Sequence, residues 1–208
     1  MALGVLISGE SGTGKSASLR NFSKNEVGVI NVVGKPLPFK NDITTYKTDN
    51  YLNVINALKK SSYKAMVIDD SQYLMANEYM RRSGETGFQK FTDIGRNFWS
   101  LVDAVQRELP DDMIVYFLHH IERDANGNEK VKTIGRMLDE KITIEGLFSI
   151  VLKTSVEDGH YFFNTKNNGH DTTKSPIGLF AEDKIDNDLK AVDTAIRDYY
   201  GMGVKKND

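Results

Sequence analysis

The sequence predicts an α/β fold with a twisted, mostly parallel sheet, flanking helices and an antiparallel hairpin near the C-terminus. Apolar, β-branched runs alternate with amphipathic segments along most of the chain. The first of these runs feeds straight into a glycine-rich loop, and a later one ends in two adjacent carboxylates. With 208 residues, the chain is long enough for one complete core and short for two, so residues 1–208 read as a single domain.

The first run is Leu3, Val5, Leu6 and Ile7. It is followed by Gly9-Glu10-Ser11-Gly12-Thr13-Gly14-Lys15-Ser16, a full match to G-x-x-x-x-G-K-[ST], and then by the helix-compatible Ala17-Ser18-Leu19-Arg20. The glycines let the backbone turn its N–H groups inward as an anion nest, and a following helix would add its N-terminal dipole. In this pattern Gly9 through Ala17 cradle a phosphate chain. Lys15 reaches the β- and γ-phosphates, and the Ser16 hydroxyl ligates Mg²⁺.

Composition narrows the function classes. A 39% hydrophobic, 27% charged chain is ordinary for a globular protein, and a formal charge of −2 gives no general pull toward nucleic acid or anionic membrane. The chain has no cysteine, which excludes thiol catalysis and Cys-ligated zinc and suits a reducing compartment. No apolar run approaches the roughly 18 residues of a membrane span, and no secretory leader is evident, so the chain reads as cytoplasmic.

Val27–Val33 reads as a buried strand, closed off by Gly34-Lys35-Pro36-Leu37-Pro38. A short strand over Ile43–Tyr46 and a helix over Tyr51–Lys60 follow, with lysines at the helix C-terminus. Lys64–Asp70 is an apolar strand ending in Asp69-Asp70. Beside a phosphate loop, the acid at such a strand end holds Mg²⁺, a role that falls to Asp69. Asp70 is then placed to orient or deprotonate an attacking water. Taken alone, the pair reads equally well as a helix cap.

Ser71–Met80 reads as a short helix, and Arg81–Gly87 as an exposed loop. From Phe88 a long amphipathic helix carries Phe91, Ile94, Phe98, Leu101, Val102 and Val105 toward the core until Pro110 ends it. Met113–Leu118 is a strand that delivers His119-His120 to its tip. Either can sense a terminal phosphate or be a hydrogen-bonded structural histidine, and strand register decides which of them faces the site. A hairpin turns at Ala125-Asn126-Gly127-Asn128. Lys132, Arg136 and Lys141, with Lys130, form a local basic stretch that reads either as a solvated face or as a nucleic-acid contact. Leu147–Thr154 pairs with Tyr161–Asn164 across Glu157-Asp158-Gly159, Thr165–Gly178 is a polar loop, and a last amphipathic helix begins at Leu189. Residues 198–208 are expected to be a partly frayed tail.

In this order the elements resemble a RecA-like P-loop ATPase core. Ile68-Asp69-Asp70-Ser71-Gln72-Tyr73-Leu74-Met75, Lys132–Lys141 and Lys174-Ser175-Pro176 further resemble the small phage-encoded ATP-binding proteins related to Sak-type single-strand annealing proteins. The resemblance implies an ATPase that uses ATP with Mg²⁺, releases ADP, binds single-stranded DNA and acts in recombination or annealing. It also implies a homo-oligomer, ring or filament, in which a neighbour completes the site. Lys166, or Lys174 as its rival, would be the cation acting in trans. The chain departs from the pattern in one place: no glutamate follows the second strand, where Gly34-Lys35-Pro36 stands instead. Either Asp70 takes over as base or hydrolysis is slow. A non-catalytic ATP-binding switch and a nucleotide kinase remain as alternatives, the kinase lacking an arginine-rich lid. No Asn-Lys-x-Asp sequence supports a GTPase.

Overall fold

Alternation along the central strands decides the layering. Successive strand side chains project to opposite faces, so Leu6, Ile30, Ile68, Val115 and Phe117 enter one apolar cluster, while Val5, Ile7, Val29, Val67, Tyr116 and Leu118 enter another. The computed structural model of the chain describes residues 2–202, with Asp139 described by its backbone alone.

The strands are β1 (Leu3–Gly9), β2 (Val27–Asn31), β3 (Thr44–Lys47), β4 (Ala65–Asp69), β5 (Ile114–Arg123), β6 (Glu129–Val131), β7 (Ile150–Glu157), β8 (His160–Asn164) and β9 (Lys184–Asp186). Among the described residues the sheet runs in the order β3-β2-β4-β5-β1-β7-β8-β9, with β6 paired to the outer end of β5. The strands from β3 to β7 along this order are parallel, and β8, β9 and β6 are antiparallel additions. This is the mostly parallel α/β sheet and closing hairpin that the sequence predicts.

Helices α1 (Tyr51–Lys60), α2 (Gln72–Arg81) and α3 (Gln89–Glu108) cover the first face, and α4 (Leu189–Tyr200) covers the second. Three of them begin or end at a local signal. The Asn50 side chain accepts from Asn53 N–H at the start of α1, and the Asp188 side chain accepts from Lys190 and Ala191 N–H at the start of α4. Leu109, next to Pro110, takes an extended conformation and stops α3. No helix among the described residues is long and apolar enough to cross a membrane.

The structure departs from the sequence reading in several places. Ser16–Asn21 is a 3₁₀ turn rather than an α-helix. The Ser18 hydroxyl donates to Lys15 O at 2.6 Å, and such local bonds compete with the helical ladder. The short strand lies at Thr44–Lys47, one residue on from its expected start. β5 runs through both histidines to Arg123 because β6 pairs with its end. Leu147–Ser149 do not open β7: Ile144–Leu147 form a 3₁₀ turn that seats the Phe148 ring 5.2 Å from Phe117. β9 and a π-helical turn at Met137–Lys141 have no periodic signal in the sequence. Of the tail expected to fray, Asp198–Tyr200 complete α4 and Gly201 caps it at φ 64°. Residues 203–208 lie outside the described residues.

Phe117 is fully buried between Phe98 and Phe148, at ring distances of 6.3 and 5.2 Å. Phe117→Ala is expected to cost about 3–5 kcal/mol, read as a lower denaturant midpoint with an unchanged slope.

Candidate functional site

Register brings the ends of the parallel strands to a common level. Gly9 lies opposite His120 across β1 and β5, and Asn31 lies opposite Asp69 across β2 and β4. In open α/β sheets ligands bind beyond such carboxyl ends, and here the chain builds a cavity of about 400 Å³. Its walls are Ser11, Gly12, Gly14, Lys15, Ser16 and Ala17 on one side, Lys35, Pro36 and Pro38 on another, and Asp69, Asp70, His120 and Tyr161. A larger cavity of about 680 Å³ lies at the opposite end of β1, around Leu3, Arg107 and Tyr200, away from this group of charges.

The loop after β1 needs its glycines. Gly12 and Gly14 have φ of 81° and 96°, where a side chain is strained. A Cβ at Gly9 would stand 1.9 Å from Thr154 Oγ1. Gly9, Glu10 and Thr13 do not line the cavity but brace the loop. Thr13 Oγ1 donates to Glu10 O at 2.7 Å and meets Thr154 Oγ1 at 2.5 Å, and the Glu10 carboxylate pairs with Arg123 at 3.0 Å.

Lys15 is 6% exposed, and its ammonium donates to Gly9 O at 2.8 Å and Glu10 O at 2.7 Å. Burial pulls its pKa down to about 8, against the charges of Asp70 and Asp69 that favour the cation. The Ser16 hydroxyl donates to Asp69 Oδ1 at 2.7 Å. Asp69 shares the face of Val67 by strand alternation. Burial raises its pKa, and the Ser16 bond opposes that rise. Serine and aspartate oxygens this close are donors suited to a hard cation such as Mg²⁺, which needs only one or two protein carboxylates when phosphate supplies the rest.

Asp70 lies past the end of β4 at φ 59°, a left-handed conformation that aspartate tolerates. Its Oδ1 accepts from His120 Nε2 at 3.2 Å, and its Oδ2 sits 3.4 Å from Lys35 Nζ. The His120 bond is the main force holding its pKa below the usual carboxylate range, with burial opposing and Lys35 assisting. His120 Nδ1 faces Lys15 Nζ at 3.5 Å. A carboxylate can only accept and an ammonium can only donate, so neutral His120 carries its proton on Nε2.

The two histidines part company by register. His119 falls on the α3 face with Phe117, is fully buried, and stacks edgewise on Phe98 at 5.5 Å. It does not reach the cavity. Its Nε2 donates to Lys132 O at 2.9 Å, and Ser71 Oγ lies 2.9 Å from its Nδ1. Of the two histidines, His120 alone lines the cavity. Lys166 and Lys174 line no part of the cavity. Lys166 pairs with Asp183, and Lys174 bonds through its backbone to Val151, which is level with Leu6. The side chains of Lys132, Arg136 and Lys141 are exposed on the segment after β6, and Lys132 N–H donates to His120 O at 2.8 Å.

No protein-family model matches the chain, and no curated protein matches its sequence.

The sequence reading missed Lys35 and Tyr161 as cavity residues. Lys35 had a signal, since a lysine replaces the acid expected after the second strand. Tyr161 had none beyond its place in a strand: its ring closes on Gly14, 2.8 Å from where a Cβ would be.

Burial also lowers the His119 pKa to about 4. The unfolded state, with an ordinary pKa near 6.5, then binds the proton first. This contribution to stability is present above about pH 6.5 and is lost as pH falls toward about 4, by roughly 3 kcal/mol in all. Stability curves of wild type and His119→Gln should converge as pH falls through that window; parallel curves would remove His119 from the titration.

Proposed function

We propose that the chain is a RecA-like P-loop ATPase that binds ATP with Mg²⁺ and hydrolyses it to ADP, in phage DNA recombination or single-strand annealing. The observation that carries this reading is the Ser16–Asp69 bond of 2.7 Å, which joins the glycine-rich loop to the tip of β4 directly beside the Lys15 ammonium. Those parts serve a triphosphate: main-chain amides and Lys15 for its oxygens, and Ser16 with Asp69 for its Mg²⁺. Bound there, the metal would neutralise charge on the β- and γ-phosphates.

Asp70 is the base. Water attacks the γ-phosphorus, Asp70 takes the water proton, and the bond to the β–γ bridging oxygen breaks with its electron pair leaving on ADP. His120 positions Asp70 through its Nε2–H. The same bond depresses the basicity of Asp70, which fits slow turnover. In the assembly we propose, neighbouring subunits form a ring or filament, single-stranded DNA contacts the exposed Lys132, Arg136 and Lys141, and Lys166 or Lys174 acts across subunits. A second reading, an ATP-binding switch with little turnover, is favoured by the absence of an acid after β2, where Lys35 faces the cavity.

Titration calorimetry with a non-hydrolysable ATP analogue and Mg²⁺, alongside phosphate release with and without oligonucleotide, tests the reading. Asp70→Asn should lower turnover by about a hundredfold or more while leaving affinity within a few-fold; unchanged turnover would move the base elsewhere. Lys15 loses its charge above a pKa of about 8, so affinity for the analogue should fall as pH rises through that value. An affinity flat from pH 7 to pH 9.5 would remove Lys15 from the grip.

A further inference from the structure

The cavity holds a second lysine, opposite the first. We propose that Lys35 is a catalytic cation acting within its own subunit, which leaves Asp70 when a triphosphate binds and takes up the γ-phosphate oxygens. The inference rests on the ATP reading above and deepens it.

Four observations lead there. Lys35 lines the same cavity as Lys15, from the loop that follows β2. Its backbone is pinned: the Asn31 side chain accepts from Gly34 N–H at 2.6 Å and donates to Lys35 O at 2.5 Å, Gly34 takes φ 80°, and Pro36 follows. Its side chain is free to swing. It is 63% exposed, and among the described residues it is held only by the 3.4 Å contact to Asp70 Oδ2 and by the face of Tyr73 at 5.6 Å. The lysine end of this pair lies in solvent while the Asp70 carboxylate is only 15% exposed, so an incoming anion can compete for the ammonium from the open side. Finally, the contacts run in sequence from Lys15 to His120 to Asp70 to Lys35, at 3.5, 3.2 and 3.4 Å. A phosphate chain gripped by Lys15 therefore brings its terminal group next to Asp70, where the Lys35 ammonium already stands.

Chemistry gives the move a purpose. As water adds to the γ-phosphorus and the bond to the bridging oxygen breaks, charge is spread over the γ-oxygens and leaves with ADP. A cation on those oxygens stabilises that charge, as a finger residue does.

The test compares affinities for ADP and for a non-hydrolysable ATP analogue in wild type, Lys35→Ala, Lys35→Gln and Lys35→Arg, together with turnover. Lys35→Ala and Lys35→Gln should lose about tenfold or more of the preference for the triphosphate, with ADP affinity within threefold of wild type. Turnover should fall on the order of a thousandfold, and Lys35→Arg should retain most of both. A merely structural role would move ADP and ATP affinities together. Mixing Lys15→Ala with Lys35→Ala protein should restore no activity. If activity returns on mixing, Lys35 works across subunits and the assignment within one subunit is overturned. If wild type binds both nucleotides and Lys35→Ala keeps the triphosphate preference, the role of Lys35 alone is overturned. If wild type binds neither nucleotide, the ATP reading falls and this inference falls with it.

Discussion

A lysine ammonium buried at the tip of a central strand has to be matched, and much of the local architecture follows from how this chain does it. Lys15 is nearly out of solvent, where an unpaired charge is costly. Two carbonyls of its own loop, Gly9 O and Glu10 O, accept from it, and Asp69 and Asp70 stand close enough to favour its charge. That solution needs glycines where the loop doubles back, and a β1–β5–β4 register that puts Gly9, His120 and the two aspartates near one level. The carbonyls are the loop's own answer to the buried charge.

Around this charge the polar groups form a single ordered chain. Lys15 donates toward His120, His120 donates to Asp70, and Asp70 faces Lys35. Donors and acceptors alternate without a conflict, so one proton arrangement satisfies every member. In a partly buried site such chains respond as a unit, because each bond polarises the next. The sheet separates this chain from a second polar anchor on its other face. There His119 ties Ser71, at the start of α2, to Lys132, at the exit of β6. Adjacent residues thus serve different layers, one inside the site and one behind it.

Support for the loop also comes from across the sheet. Thr154 of β7 closes on Gly9 and Thr13, and Tyr161 and Asn187 close on Gly14. The antiparallel extension from β7 to β9 therefore acts as a brace for the glycine-rich loop as well as an edge to the sheet. Lys153, paired with Glu129 and Asp171, links that extension to β6 from within.

Local chemistry was enough to identify the α/β class, the glycine-rich loop, the acid pair after Ile68, α1, α3 and the β7–β8 hairpin. Each has a short-range cause that a sequence carries: period-two or helical patterning, a capping residue, a proline, a turn that needs glycine. The short pieces were not legible, because the π turn and β9 carry no periodic pattern and the 3₁₀ turn at Ser16–Asn21 departs from a helix-compatible sequence alongside a single local bond from Ser18 to Lys15 O. Nor could the sequence choose between His119 and His120, since adjacent strand residues differ only in the face they enter, and pairing across β1, β4 and β5 fixes that. The same holds for Lys35 and Tyr161: Lys35 follows β2, whose end lies beside that of β4, and Tyr161 reaches the same end of the sheet because β8 turns back antiparallel on β7. Residue identity determined which groups are available for chemistry; strand register, a long-range property, decided which of them meet.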